Sequence, residues 1–230
     1  MKRNTFYTLF GIFLLASCQQ EDLGKGEGLL SISELETKPI IEASISSRAV
    51  DETLTIELWK GGVKLRVLTP EEMSGKINLD VASDYSLKVY SSNYGSDSNW
   101  TDETKGEPIY YIEVPFEIKE GEVTGLNVKV PMINFGVSLD LSSIVGLSWL
   151  KEYSFTVTSG ERTVSLQSGE TAYFAFTEGM NFSYNLSVTN IDDETNHLNN
   201  IWGDSEEEKV NNNTIYTIYY DLATNTLNQK

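Results

Sequence analysis

The chain has 230 residues, with 34 Asp and Glu against 17 Lys and Arg, so its formal charge at pH 7 is −17. Such an acidic balance argues against a protein that neutralises phosphates through Lys and Arg contacts, whether on nucleic acid or on anionic headgroups. One Cys and one His leave no internal disulfide, no multi-histidine metal site and no histidine relay, while 40% hydrophobic and 11% aromatic residues suffice for a packed core.

At the amino terminus, Lys2 and Arg3 precede an apolar stretch from Phe6 to Leu15 broken by Thr8 and Gly11, and Ala16, Ser17 and Cys18 follow. A charged head, an apolar middle and a small-residue exit mark a segment that is cut on export. The stretch is well short of the roughly 20 apolar residues that span a bilayer as a helix. Leu15-Ala16-Ser17-Cys18 resembles the bacterial lipobox in all four positions. That resemblance implies removal of residues 1–17 and acylation of Cys18, with two or more acyl chains needed for stable anchoring. An ordinary secretory signal, or a buried free thiol in a short helix, is the alternative. Gln19-Gln20-Glu21-Asp22 is similar to the acidic export signal that sends lipoproteins of Bacteroidetes-type bacteria to the outer face of the outer membrane; otherwise it is the polar start of a tether. Residues 18–28, with Gly24, Gly26 and Gly28, read as a flexible tether, because a phosphate loop would need a strand before it and a helix after it.

Beyond Leu29 the hydrophobic period is two, which predicts half-buried strands. Leu54, Ile56 and Leu58 alternate with polar neighbours, Gly61-Gly62 follows, and Val63, Leu65 and Val67 alternate again. Two glycines supply the positive φ that a primed hairpin turn requires. The pattern recurs through Ile77-Leu79-Val81, Tyr85-Leu87-Val89, Ile112-Val114-Phe116-Ile118, Leu126-Val128-Val130, Phe135-Val137-Leu139-Leu141, Tyr153-Phe155-Val157, Phe182-Tyr184-Leu186-Val188 and Tyr216-Ile218-Tyr220-Leu222. Two segments depart from it. Thr69-Pro70-Glu71-Glu72-Met73 carries an N-cap, a proline at the first helical position and acids in the first turn, which predict a short helix. The segment 142–150 is read as a second short helix that folds Trp149 onto the sheet.

About fourteen strands are too many for one small sandwich, and Pro131 closes a run of strands. The expected organisation is therefore all-β, with an N-terminal β-sandwich over residues 29–131 and a C-terminal one over 132–230, each near the usual domain size. A single larger sandwich is the alternative, and no repeat of residues links the halves.

Catalytic chemistry finds little support. His197 lies in the polar stretch 192–200, read as a loop, and no Gly-x-Ser-x-Gly elbow is present. A glycosidase needs two carboxylates at a set distance, and nothing singles out a pair. The acidic runs at 192–194 and 206–208 lack the spacing of a calcium loop and are read as solvated loops. No catalytic residue, metal ligand or cofactor is assigned. Aromatics offer a better lead: Tyr90, Tyr94, Trp100, Tyr110 and Tyr111 bracket the Gly/Ser/Asn/Asp-rich segment 91–107, which is too long for a tight turn. Tyr94, Trp100 and Tyr110 are candidate stacking faces for a sugar ring, and the rim of a sandwich core is the plainer reading. Trp202 and the stretch to Asn213 form a second loop of this kind.

The lipobox and its acidic tail, the opening strand Gly28-Leu29-Leu30-Ser31-Ile32-Ser33, Ser47-Arg48-Ala49-Val50, the strand from Val81 to Tyr90, Glu113-Val114-Pro115-Phe116-Glu117-Ile118 and the turn Glu120-Gly121-Glu122 together resemble the fimbrillin-like lipoproteins of Bacteroidetes-type bacteria. This group is related to a Bacteroidales lipoprotein domain family of unknown function. The resemblance implies two tandem transthyretin-like β-sandwich domains on a lipid tether, held at the outer membrane and exposed on the cell surface. It further implies a non-enzymatic role as fimbrial subunit, anchor or adhesin. In such pilus proteins an N-terminal strand can be removed after an Arg and replaced by a neighbour's strand. Arg48-Ala49 stands where that cut would fall, unless Arg48 is an ordinary loop residue, and the run 214–222 has the alternation of a donated strand. The partners implied are the outer membrane and other pilus subunits. The alternative reading is a surface glycan-binding lipoprotein of a polysaccharide uptake system, with host or dietary glycans as partners.

Overall fold

The computed structural model describes residues 25–37, 54–205, 207–221 and 226–229. The signal segment, Cys18, the acidic tail after it and Arg48-Ala49 lie outside the described residues. The chain is all-β, built as two sandwiches in tandem.

The first sandwich opens with β1 (Glu27–Thr37), so the sheet begins two residues inside the expected tether. Next come the hairpin β2 (Leu54–Lys60) and β3 (Val63–Val67), then α1 (Pro70–Met73). The strands β4 (Lys76–Asp80), β5 (Ala82–Ser91), β6 (Tyr111–Ile118) and β7 (Val123–Val130) complete it. Gly61 and Gly62 both have positive φ, 58° and 76°, as the primed turn requires. The short helix forms as its residues predict: the Thr69 side chain accepts from the Glu72 backbone N–H, and the Glu72 carboxylate accepts from the Thr69 N–H, a complete capping box.

The second sandwich contains β8 (Phe135–Asp140), β9 (Leu150–Ser159), β10 (Arg162–Ser165), β11 (Thr171–Phe174), β12 (Phe182–Asn190), β13 (Thr195–Trp202), β14 (Ile215–Asp221) and β15 (Thr226–Gln229). Its sheets repeat those of the first. The order β3-β2-β5-β6 is matched by β10-β9-β12-β13, and β4-β1-β7 by β11-β8-β14, which β15 extends. In both halves the first strand is antiparallel to one neighbour and parallel to the other: β1 to β4 and β7, β8 to β11 and β14. The halves thus share a topology that no residue pattern announces.

Two predictions change. The segment 142–149 is a series of turns, not a helix, with Gly146 at φ 90° interrupting it; Ile144 is buried and Trp149 packs on the core as expected. The stretch 195–202 is a strand, so His197 is a strand residue and not a loop histidine. Its run of Thr, Asn and His carries no apolar alternation, and pairing with β12 holds it in the sheet.

Each half has its own core. Leu30, Ile56, Leu58, Leu87, Ile118, Val128 and Met132 belong to the first, and Phe135, Val137, Phe155, Phe182, Leu186 and Ile218 to the second. The division falls between Met132 and Phe135. Alternation places these side chains inward, and burying each large one contributes about 1.5–3 kcal/mol.

Candidate functional site

Alternation that sends Ile56 and Leu58 inward sends Thr55, Glu57 and Trp59 to the outer face of the first sandwich. Register brings further residues beside them. Glu57 lies opposite Lys88, which lies opposite Glu113; Thr55 lies opposite Tyr90, which lies opposite Tyr111. Glu57 is 6% exposed although it is on the outer face, because its neighbours cover it. Its carboxylate accepts from Trp59 Nε1 at 2.9 Å, from the Tyr90 hydroxyl at 2.9 Å and from Lys64 Nζ. Lys88 Nζ stands 3.9 Å from the Trp59 ring centroid and 3.7 Å from a Glu113 oxygen. Tyr94, from the segment after β5, folds back over this face and stacks on Tyr111 with centroids 4.8 Å apart and planes 13° apart; the Tyr90 ring is 5.5 Å away, tilted by 40°. The result is a sheet face with three tyrosines at one end and a charged, hydrogen-bonded web beside them.

Burial by itself would raise the Glu57 pKa, but the hydrogen bonds from Lys64, Tyr90 and Trp59 outweigh it and hold the carboxyl below its ordinary value of 4.5. A carboxyl held low in the folded state contributes stability above its unfolded pKa and loses it as pH falls through the folded value. The melting temperature of the wild type should therefore fall below about pH 4.5 more steeply than that of Glu57→Gln, which lacks the ion pair at every pH. Thermal melts from neutral to acid pH should converge as the acid limit is approached; parallel curves would show that Glu57 contributes no such term.

The candidate residues read from the sequence do not form one cluster. Tyr94 is 46% exposed and offers a ring to solvent. Tyr110 is 1% exposed and belongs to the first core, with its backbone N–H on Ser91 Oγ at 3.0 Å, so it presents no stacking face. Trp100 is turned toward the second sandwich, where the Arg162 guanidinium carbon lies 5.3 Å from its ring centroid.

Arg162, at the start of β10, reaches back across the junction. Its Nε donates to the Thr101 carbonyl at 2.9 Å, and its two terminal nitrogens donate to the carbonyls of Thr104 and Tyr173. Around it, Asp102 accepts from the Thr163 N–H at 2.9 Å, the Tyr173 N–H donates to the Lys105 carbonyl at 2.7 Å, and Lys105 pairs with Glu170. Gly106 has φ 69°, and a Cβ there would come within 3.0 Å of the Trp100 ring and the Tyr173 carbonyl, so glycine is needed for the segment to lie this close. Asn134, 1% exposed, accepts from the Ile109 N–H and donates to the Glu107 carbonyl, both at 2.9 Å. Asn213 accepts from the Met132 N–H at 2.9 Å. Residues 100–107 of the segment expected as a binding loop thus form a clamp between the halves, while Tyr94 of that segment lies on the outer face; Arg162 and Asn134, which complete the clamp, carried no signal in the sequence.

The second sandwich presents a different outer face. Thr156 and Thr158 of β9, Ser183, Asn185 and Ser187 of β12 and His197 and Asn199 of β13 point outward in register, around a shallow groove of about 270 Å³ that Thr156, Ser183, Asn185 and Asn199 help to line. Ser187 Oγ and His197 Nδ1 are 2.7 Å apart. Serine-type catalysis would also need a group that orients the imidazole as a base, and among the described residues no group of three or more His, Cys, Asp or Glu is placed to hold a metal ion. Trp202 ends β13 with its ring 6.0 Å from that of Tyr216.

The model of a family described as a domain of unknown function (DUF4493) matches residues 26–230. Among curated proteins nothing matches the chain. Similar solved structures include a candidate cell adhesion protein of Bacteroides uniformis, 12% identical over 90% of this chain and 98% of that one, with a TM-score of 0.45. A candidate polysaccharide binding protein of Bacteroides thetaiotaomicron is 9% identical over 85% and 92% of the two chains, with a TM-score of 0.41. A fimbrial protein of Bacteroides ovatus is 9% identical over 86% of this chain and 49% of that one, with a TM-score of 0.39.

Proposed function

The chain belongs to the DUF4493 family, and from that premise we propose that it is a cell-surface lipoprotein of the outer membrane that serves as an adhesin or as a fimbrial subunit or anchor, without enzymatic activity. The observation that carries the reading is the junction. A tethered protein that bears load between a membrane and a distant contact needs its domains coupled, and here Arg162, Asn134 and Asn213 tie two like sandwiches together through backbone groups. The lipobox supports the tether. In the fimbrial form, cleavage at Arg48-Ala49 would release β1, which runs between β4 and β7 with Leu30 fully buried, together with the lipid on Cys18, and leave a groove for a neighbour's strand. The run 214–222 contributes β14, which pairs with β8 and β15 in its own half.

Cells expressing the chain and fed an alkyne analogue of palmitate should label it, and Cys18→Ser should abolish the label. Unboiled outer membranes should show high-mass ladders that Arg48→Ala removes if the chain is a fimbrial subunit. A single band with or without that substitution would leave the adhesin form and end the fimbrial one. An unlabelled wild type would sink the lipoprotein reading altogether.

A second reading, glycan binding, is favoured by the exposed Tyr94 ring stacked on Tyr111. Sugar rings pack on such faces, and the Glu113 carboxylate beside the Tyr111 hydroxyl can accept from sugar hydroxyls. Affinity electrophoresis through gels of soluble neutral polysaccharides should show retardation that Tyr94→Ala lowers at least tenfold in apparent affinity, about 1.4 kcal/mol. Trp100→Ala would not test this, because it disturbs the clamp.

A further inference from the structure

A sheet edge is an open row of N–H and C=O groups, and folded proteins protect it with charge, proline, bulges or shortness. Among the described residues the sheet edges follow that rule, with one exception. Edge strand β3 has five residues, carries Lys64 and Arg66 and has a register shift against β2. On β4, also of five residues, Lys76 and Asp80 stand at the ends. Lys129 and Gly125 interrupt β7, while β10, β11 and β15 have four residues each. The strand equivalent to β13 in the first sandwich is β6, which carries Glu113, Pro115 and Glu117.

β13 has none of these devices. Its eight residues, Thr195, Asn196, His197, Leu198, Asn199, Asn200, Ile201 and Trp202, include no Asp, Glu, Lys, Arg, Pro or Gly, and its pairing with β12 has no register shift. Among the described residues β12 is its one hydrogen-bonded neighbour; β15 comes near from the opposing sheet without joining its ladder. Six of the eight residues are exposed, and Ile201 is 46% exposed.

We propose that β13 is a self-association edge, pairing antiparallel with β13 of a second copy of this chain to make one continuous sheet across the two second sandwiches. A second copy fits for two reasons. Antiparallel pairing of an edge with itself is isologous and needs no second complementary surface. Charge also selects the place: copies carrying −17 repel each other over most of their surface, whereas β13 itself holds no charged side chain and the face beside it is Thr, Ser and Asn apart from Glu152, which lies opposite Thr189 at one end. Repulsion remains at the ends, where Asp192, Asp193 and Glu194 precede the strand and Asp204, Glu207 and Glu208 follow it. The pairing is therefore weak at low salt and strengthened by screening. It is independent of the fimbrial reading, which uses β1 and the carboxy-terminal strands.

Sedimentation equilibrium of the complete chain, kept unacylated by Cys18→Ser, tests this between about 10 µM and 1 mM, the range in which a contact smaller than a standard interface associates. The weight-average mass should rise toward twice that of the monomer, and more so at about 0.5 M salt than at about 0.05 M. Asn199→Lys and His197→Lys, each placing a charge on the exposed edge, should hold the chain monomeric with unchanged far-ultraviolet dichroism. Amide exchange in β13 should slow with protein concentration in the wild type. A monomer at every concentration and salt, association untouched by both lysines, or exchange of the β13 amides that do not bond to β12 that is independent of protein concentration would each overturn the proposal.

Discussion

Truncating Phe135 to alanine lowers the stability of the second sandwich by about 3–5 kcal/mol, the range for removing a buried aromatic ring that its surroundings cannot refill. Phe135 has no exposed surface, and its ring lies 5.6 Å from that of Phe174, 5.7 Å from Phe182 and 6.2 Å from Tyr216. Three aromatic neighbours held by three different strands cannot all move inward, so a cavity remains. Because the two cores are separate clusters, the loss falls on one of them. Urea unfolding followed by tryptophan fluorescence should show an early transition from the half containing Trp149 and Trp202, with the half containing Trp59 following later. Phe135→Leu, which conserves much of the volume, should cost about 1–1.5 kcal/mol. A loss under about 1 kcal/mol in Phe135→Ala would mean that the core repacks around the missing ring.

Arg162→Ala should cost about 2–3 kcal/mol and weaken the coupling between the halves. The guanidinium serves three backbone carbonyls, those of Thr101, Thr104 and Tyr173, and also covers the rings of Trp100 and Phe174. With the side chain gone, carbonyls in a partly closed junction lose their donor, and Trp100 loses the surface it packs against. Calorimetry should resolve one cooperative melt in the wild type into two in the variant. Arg162→Lys separates charge from shape: an ammonium keeps the charge but cannot span carbonyls that a planar fork reaches together, so lysine should recover less than half of the loss. Full recovery by lysine would reduce the contact to simple electrostatics.

These two residues show how far the sequence could be read. Phe135 stands in a run whose alternation, Phe135, Val137, Leu139, predicts a buried strand face without any knowledge of its partners. The hairpin at Gly61-Gly62 and the cap at Thr69 were equally legible, because turn and cap preferences act within four residues. β13 was not, since an edge strand of Thr, Asn and His has no apolar period. The segment 91–107 has the length and composition of a binding loop, and the use of its residues 100–107 as a clamp depends on Arg162, about 60 residues further along. Tyr110 and Tyr94 look alike in the sequence; one is core and the other faces solvent.

Hydrophobic period, turn glycines and the helix cap were determined by the chain alone, because the forces behind them act between neighbours in sequence. Which tyrosine stays exposed, how Glu57 comes to be buried on an outer face, which edge is left unprotected and what ties the halves together were decided in three dimensions. Burial and hydrogen-bond satisfaction are properties of groups brought together from distant parts of the chain, and no local pattern encodes them.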